Sequence, residues 1–577
     1  MKAFLNSEEK LNESFPVHWL QEILDKIEER DKSLITLSTG KTPSGHIHVG
    51  ILREIIICDS LRRVLEERGN NVRNLLFFDS LDAAKRFPDY IDKDFQQENL
   101  GKPFAYIPCP FEDCNCKSYA HHFGEELYST FPDFGIKNEL VWTHELYKDK
   151  RMLERIKISL QRVKDIKAIL KKYILPTLDE EKKIQFLEMQ KNWMPVMVVC
   201  EECDRLLNVK KDGSIRPNRI GSYNDANETV SYTCNYCQHS NDISIYSGRL
   251  KLNWRVDWPA KWSIFKTTCE PAGKDHSVKG GAYDTGLELC QKLFDYQGPV
   301  KVPYEWLRLG EYDMKTSKGI VFTPKSFLEV ADPELYRMLI LRTDPMKHIS
   351  LRIEEIPQYY DYYEKIEDAY FSSENDEELK DLKYIYPLIK IEGLSKEKTS
   401  KIPFNLLVFL SQIQNILSEN LLYEKAKSVL RENKSINIPS FENFKMLLKR
   451  TKNWIEEVKT IIENEKDPKV KRSILQKINI FEIPEDLDEK FLENLDEKQK
   501  KGITQFREYI LQNQDIDEDE IQNQVFNIAK ELELQPRKMF QAFYWILLGK
   551  KFGPRLGSFI SLLDREWLIK RLDIKNS

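Results

Sequence analysis

The chain has 577 residues, 41% hydrophobic and 31% charged, and its 88 Lys and Arg against 93 Asp and Glu give a formal net charge of −5. That length predicts about two to four domains, and the apolar content excludes a disordered chain. The charge balance excludes indiscriminate nucleic-acid binding through a broad positive field, but leaves room for a local basic groove. No apolar run approaches the ~18–20 residues of a membrane helix. The opening stretch MKAFLNSEEKLNESF lacks the basic start and apolar core of a signal peptide. A cytoplasmic protein with no membrane partner is therefore expected. In that setting ten cysteines favour metal over disulfides.

In chain order, LITLSTG (34–40) reads as a buried strand stopped by Gly40. The turn TPSGHIHVG (42–50) follows. Ile51, Ile55, Cys58, Leu61 and Leu65 then recur at helical spacing, with Gly69 as the natural C-cap. VRNLLFFD (72–79) is a second strand. Strand, turn, helix, strand predicts a parallel α/β domain, in which ligands bind outside the carboxyl ends of the strands. Both TPSGHIHVG and Asp79 lie there. From about 100 to 250, paired cysteines and a charged helical run (147–192) predict an insertion with small metal-knit lobes. Aromatic and glycine-rich pieces return up to about residue 330, and beyond that the pattern is helical, with no glycine between Gly393 and Gly502.

Cys200-x-x-Cys203 and Cys234-x-x-Cys237 suit one tetrahedral structural zinc, since each pair brings two thiolates to one ion. Four protein ligands leave no open position, so the expected role is folding. A second cluster, CPFEDCNCKSYAHH, offers Cys109, Cys114, Cys116 and His122 as a less regular Cys3His set. Cys58, Cys269 and Cys290 sit in apolar contexts and read as core.

In TPSGHIHVG, Gly45 and Gly50 allow close backbone approach, and the following helix start favours an anion. Taken alone, the stretch suits a capped turn as well as a nucleotide site. MKTSKG (314–319) adds two lysines three residues apart among small residues, a clamp for a polyphosphate.

HVGI (48–51) after PSG resembles the HIGH signature of class I aminoacyl-tRNA synthetases, and KTSKG (315–319) resembles their KMSKS signature. With TGKTPSG (39–45), WRVDWP (254–259), EPAGKDH (270–276), GGAYDTG (280–286) and the closing LLGKKFGPRLGSFISLLDREWLIKRL (547–572), the chain resembles the class I lysyl-tRNA synthetases, which are related to the glutamyl enzymes. The resemblance runs from about residue 15 to the end.

It implies a Rossmann-type catalytic domain (halves 1–100 and 251–330) split by a zinc-binding and helical insertion (101–250). A stem-contact connector (331–400) and an all-α anticodon-binding domain (401–577) would follow. It implies lysine activation by ATP with Mg2+, then transfer to tRNA(Lys), by an enzyme expected to be monomeric. His48 would contact the phosphates, with His46 beside it, and Lys315 and Lys318 would hold the departing pyrophosphate. Pro43, Ser44, Gly45, Gly50 and Ser317 would line the ATP site. Gly40, Thr42, Trp254 and His276 would recognise the amino acid, with Asp257, Glu270, Asp275 and Tyr283 supplying charge and orientation. Trp258 and Trp262 read as packing. One departure stands out: the fourth signature position, usually His or Asn, is Ile51, so either His46 or a backbone N–H would take that share of the phosphate, or activity would be lower than the family norm. Rival readings are a glutamyl-type enzyme, an amino-acid-activating paralogue, and a non-catalytic zinc RNA-binding protein.

Overall fold

Ile35–Lys41 forms strand β1, and five of its seven residues are buried. Such a continuous buried run is covered on both faces, which a parallel sheet provides. The computed structural model describes residues 18–30, 33–310, 321–373, 377–398, 401–432, 439–478, 480–485, 489–514 and 516–574. After β1 the chain crosses through helix α1 (Leu52–Glu67), which Gly69 follows at φ +83°, a left-handed position. Strand β2 (Val72–Phe78) returns parallel to β1, in register from Ile35 against Val72 to Lys41 against Phe78.

Helix α2 (Tyr119–Tyr128) and strand β3 (Glu139–Trp142) come next. Helix α3 (Trp254–Phe265), strand β4 (Thr267–Gly273), helix α4 (Ala282–Phe294) and strand β5 (Val300–Tyr304) complete the layer after the insertion. The sheet order is β3-β2-β1-β4-β5, all pairs parallel. The chain leaves β1 towards β2 and leaves β4 towards β5, so the crevice between the carboxyl ends of β1 and β4 is the topological switch point of a doubly wound sheet.

The segment between β3 and α3 carries helices Lys150–Gln161, Val163–Ile174 and Glu180–Lys191, then a three-stranded antiparallel sheet of Arg219–Asn224, Thr229–Thr233 and Ser240–Ser244. It shares its core with the parallel-sheet layer. Leu75 and Phe77 of β2, Met152 and Ile156, Cys200 and Cys234, and Leu289 of α4 belong to one buried apolar cluster.

The described residues divide into two compact units. The first comprises residues 1–328, 332–351 and 366–394, and the second 329–331, 352–365 and 395–577. In the first, helix α5 (Pro333–Leu341) is tied to α1 by a buried ion pair. Arg337 Nη1 lies 2.8 Å from Asp59 Oδ2, with both side chains wholly buried. Arg337 Nε donates to Leu388 O at 2.9 Å, so residues near 390 are held as well. Burial pushes the Arg337 guanidinium down to about 10 despite Asp59. Burial opposes the charge of Asp59, but Arg337, Arg63 and Arg62 outweigh it and hold its carboxyl low.

The second unit is helical, with no strand among its described residues. Asp496 with Gln499 and Asp517 with Glu520 form capping boxes at two of its helices. Trp454 is fully buried and donates its indole N–H to Ile353 O at 2.7 Å. Phe543 packs inside, whereas Phe552 is 78% exposed beside the exposed Lys550 and Lys551.

Candidate active site

β1 delivers Gly40, Lys41 and the turn that follows to the switch point. Thr42 Oγ1 donates to Asp82 Oδ2 at 2.7 Å, fixing the start of the turn to the loop after β2. Gly45 has φ +153°, which L side chains rarely adopt, so this position in PSG requires glycine. His48 stands in extended conformation immediately before the 3-10 turn Val49–Ile51. Val49 N–H donates to Phe322 O at 2.8 Å, which brings the chain just beyond the KTSKG stretch against the signature turn. Lys315, Ser317 and Lys318 themselves lie outside the described residues.

The two histidines of the turn differ sharply. His48 is half-buried, and its Nδ1 has no hydrogen-bond partner among the described residues. Burial, and then the charge of Lys41, push its imidazole down to about 3. It is therefore a neutral ring with an unsatisfied nitrogen, suited to a neutral hydrogen bond with an incoming ligand. His46 is about one third exposed and fully engaged at Nδ1, which lies 2.9 and 2.8 Å from the two Glu126 oxygens. Its backbone N–H donates to Tyr90 Oη at 2.9 Å.

Lys41 is a charged group that the sequence reading passed over. Its side chain is the positive neighbour of His48 and Glu54. Burial lowers its own pKa, against the pull of Glu54. Burial pushes the Glu54 carboxyl up to about 8, although it accepts from the Tyr304 hydroxyl.

On the other flank, Asp257, a candidate for charge and orientation, is engaged inside the protein. It is buried, paired with Lys261 at 2.8 Å, and accepts from Tyr147 Oη at 2.5 Å. Lys261 also reaches Asp79, the acidic end of β2, at 2.5 Å. Burial raises the Asp79 pKa, with Lys261 opposing it. Burial works against the charge of Lys261, but Asp257 and Asp79 drive its pKa above the usual lysine value.

Glu270 is likewise an internal support. Its Oε1 accepts from Trp258 Nε1 at 2.5 Å, and its Oε2 accepts from Trp262 Nε1 at 2.9 Å and from the Ser38 hydroxyl. Burial raises its pKa against these three donors. Trp258 and Trp262, read as packing, also serve as hydrogen-bond donors that fix this carboxylate. Tyr283 is wholly buried and donates to Glu270 O at 3.1 Å, with its ring 5.3 Å from Trp258. Gly286 admits the Trp262 ring, since a Cβ there would stand 2.8 Å from Trp262 Cζ3. Trp254, 45% exposed, faces His276 at 5.6 Å between ring centroids, and Asp275 and His276 are exposed. Trp254, His276 and Asp275 are thus exposed, at the start of α3 and just past β4, next to a Trp258, Trp262 and Tyr283 layer.

The Cys200, Cys203, Cys234 and Cys237 sulfurs all lie within 4.8 Å of one another, with 3.6 Å between Cys200 and Cys237 and between Cys203 and Cys234. Sulfurs on a tetrahedral zinc stand about 3.8 Å apart, so the donor set fits zinc. Both pairs have the same knuckle geometry: Asp204 and Gln238 take positive φ and donate their N–H to Cys200 O and Cys234 O, each at 3.1 Å. In the second cluster Cys109, Cys114 and His122 lie within 4.8 Å of one another, and Cys116 stands against Cys114, its backbone N–H donating to Cys114 Sγ at 3.4 Å. The short Cys114-x-Cys116 spacing lets that turn close on the first sulfur.

Residues 17–392 match the family model for class I tRNA synthetases (K), and residues 447–575 match an anticodon-binding domain. The chain is 34% identical to a lysine–tRNA ligase of Methanocaldococcus jannaschii over 97% of this chain and all of that protein. It is 32% identical to one of Methanococcus maripaludis, over 97% of this chain and all of that protein. It is 31% identical to one of Archaeoglobus fulgidus, over 96% and 99% of the two chains. With a parallel doubly wound sheet, a signature turn at its switch point and a helical C-terminal region, the chain belongs to the lysine-type class I tRNA synthetase family.

Proposed function

We propose that the protein is a lysine–tRNA ligase: it activates L-lysine with ATP to lysyl-adenylate and passes the lysyl group to the 3′-terminal adenosine of tRNA(Lys). Near-full-length similarity to lysine–tRNA ligases, together with the signature turn at the switch point, supports this reading.

In the first step the lysine carboxylate attacks the α-phosphorus and pyrophosphate leaves. The protein's task is positioning and charge stabilisation. Neutral His48 offers a hydrogen bond to a phosphate oxygen, and Lys41 supplies the positive charge beside it. Pro43, Ser44, Gly45 and Gly50 give the ATP a close backbone surface. Lys315, Ser317 and Lys318 hold the leaving pyrophosphate, and Mg2+, when bound, would offset its charge.

Gly40, Thr42, Trp254 and His276 line the amino-acid side, with Asp275 as its open carboxylate. Asp257, Glu270 and Tyr283 act from behind by fixing the aromatic wall. Zinc at the four cysteines holds the inserted lobe folded. Lys550, Lys551 and Phe552 present cations and an exposed ring suited to an unstacked anticodon base. The enzyme is taken as a cytoplasmic monomer. No helix among the described residues is long and apolar enough to cross a membrane.

The test is aminoacylation of purified tRNA(Lys) and tRNA(Glu) with labelled lysine and glutamate. Lysine on tRNA(Lys) alone is expected, and glutamate on tRNA(Glu) would overturn the reading.

A further inference from the structure

One face of α2 meets the signature turn at three points. Tyr119 Oη donates to Ser44 O at 3.1 Å. Phe123 sets its ring edge-to-face against His46, with centroids 5.1 Å apart. Glu126 accepts from His46 Nδ1. These positions are i, i+4 and i+7, a single helical stripe. The opposite side of α2 is pinned to the sheet: a Cβ at Gly124 would stand 2.6 Å from Trp142 Cη2, and Trp142 stacks on Phe78 at 4.7 Å. The same helix carries His122, whose Nδ1 lies 3.2 Å from Cys114 Sγ and 3.6 Å from Cys109 Sγ. Two soft sulfurs and an imidazole at this separation suit zinc. Phe111, between the two cysteines, packs on His122 at 4.7 Å.

Resting on the reading of the turn as the ATP-facing element, we propose that α2 is a metal-anchored brace for the catalytic turn. In it Glu126 is a positioning residue for His46, and a zinc ion on Cys109, Cys114 and His122 fixes the helix. Glu126 holds the ring through Nδ1, which leaves Nε2 as the nitrogen available to a substrate. Without the metal, the loop ahead of α2 and the first turns of the helix lose an anchor. The three contacts to residues 44–46 then loosen together. Outer partners of metal-ligating histidines typically tune activity by about 10–100-fold, and an effect at the low end of that range is expected for Glu126 on His46.

The test uses the full-length protein with 15N-labelled histidine; nine histidines keep the spectrum assignable. Three readouts are taken: the His46 ring nitrogen signals, zinc per chain, and lysine-dependent pyrophosphate–ATP exchange. Wild type is expected to show a protonated Nδ1 on His46 and two zinc ions. Glu126→Ala is expected to shift the His46 signals and lower the exchange kcat about tenfold, with the lysine KM within about twofold. Glu126→Gln, which keeps an acceptor, recovers most of that loss. Cys114→Ala is expected to lose one of the two zinc ions and move the His46 signals towards the Glu126→Ala pattern. If it misfolds, stepwise chelation of wild type gives the same comparison.

Unchanged His46 signals in Glu126→Ala, or loss of the second zinc without any change at His46, overturns the brace. Wild type that binds a single zinc ion overturns the metal anchor. Absence of exchange in wild type overturns the lysine reading instead, and the ring signals still decide the brace.

Discussion

His48 stands beside Lys41 at the carboxyl end of β1, and burial together with that ammonium push the imidazole down to about 3. The signature histidine is therefore neutral throughout the physiological range, and in the proposed mechanism it acts through a hydrogen bond. Exchange measured between pH 6 and 8 should show no titration from it. His48→Ala should slow exchange by about 10²-fold, the usual scale for losing a preorganised donor.

The same shift has a consequence for stability. A histidine with a depressed folded-state pKa contributes stability above its unfolded value near 6.5, and this is lost as pH falls towards about 3. Urea midpoints of wild type should fall between pH 7 and 4.5 more steeply than those of His48→Asn, which has no ring to titrate.

Glu54 gives the opposite sign. Its carboxyl is pushed up to about 8 by burial, so the stability it contributes is present below about 4.5 and lost as pH rises through about 8. Glu54→Gln keeps an acceptor for the Tyr304 hydroxyl and removes the buried charge. Its thermal midpoint should exceed that of wild type at pH 9 by several degrees and match it near pH 5. Equal midpoints at both pH values would refute this.

Arg337 and Asp59 are wholly buried and paired, so removing Asp59 strands the Arg337 charge, whereas Asp59 without Arg337 keeps Arg62 and Arg63. Asp59→Leu should destabilise the first unit by about 3–5 kcal/mol and Arg337→Met by less, because Asp59 then keeps Arg62 and Arg63, and the double variant should cost less than the sum of the two. Chemical denaturation of the three variants measures the coupling.

Cys203→Ser should remove zinc from the four-cysteine site. Val230, Tyr232 and Ile243 pack around those sulfurs. Metal loss should open that part of the core to dye binding and proteolysis within residues 196–252, with Lys251 and Arg249 as cleavage points.

The fold could be read from the sequence where one short stretch sets its own structure. The apolar run 34–40, the helical spacing from Ile51 to Leu65 and the strand at 72–79 correspond to β1, α1 and β2 within a residue or so. The doubled CxxC pairs likewise meet as four close sulfurs. Partnerships made by topology could not be read. Glu126 lies 80 residues from His46, and Lys261 lies 182 from Asp79, with no local pattern linking either pair. Glu270 and Asp257 were visible as carboxylates, but their indole, hydroxyl and ammonium partners were not. The fold, not a local pattern, places both inside that network. Lys41 was within sight, inside TGKTPSG, yet a lysine at a strand end carries no signal until its burial beside His48 is known.

The most direct measurement is pyrophosphate–ATP exchange run separately with each of the twenty amino acids, on wild type and on Lys318→Ala. The account predicts exchange with lysine alone, and a strong loss in Lys318→Ala with zinc content unchanged. Exchange with another amino acid, or none with lysine, would contradict it.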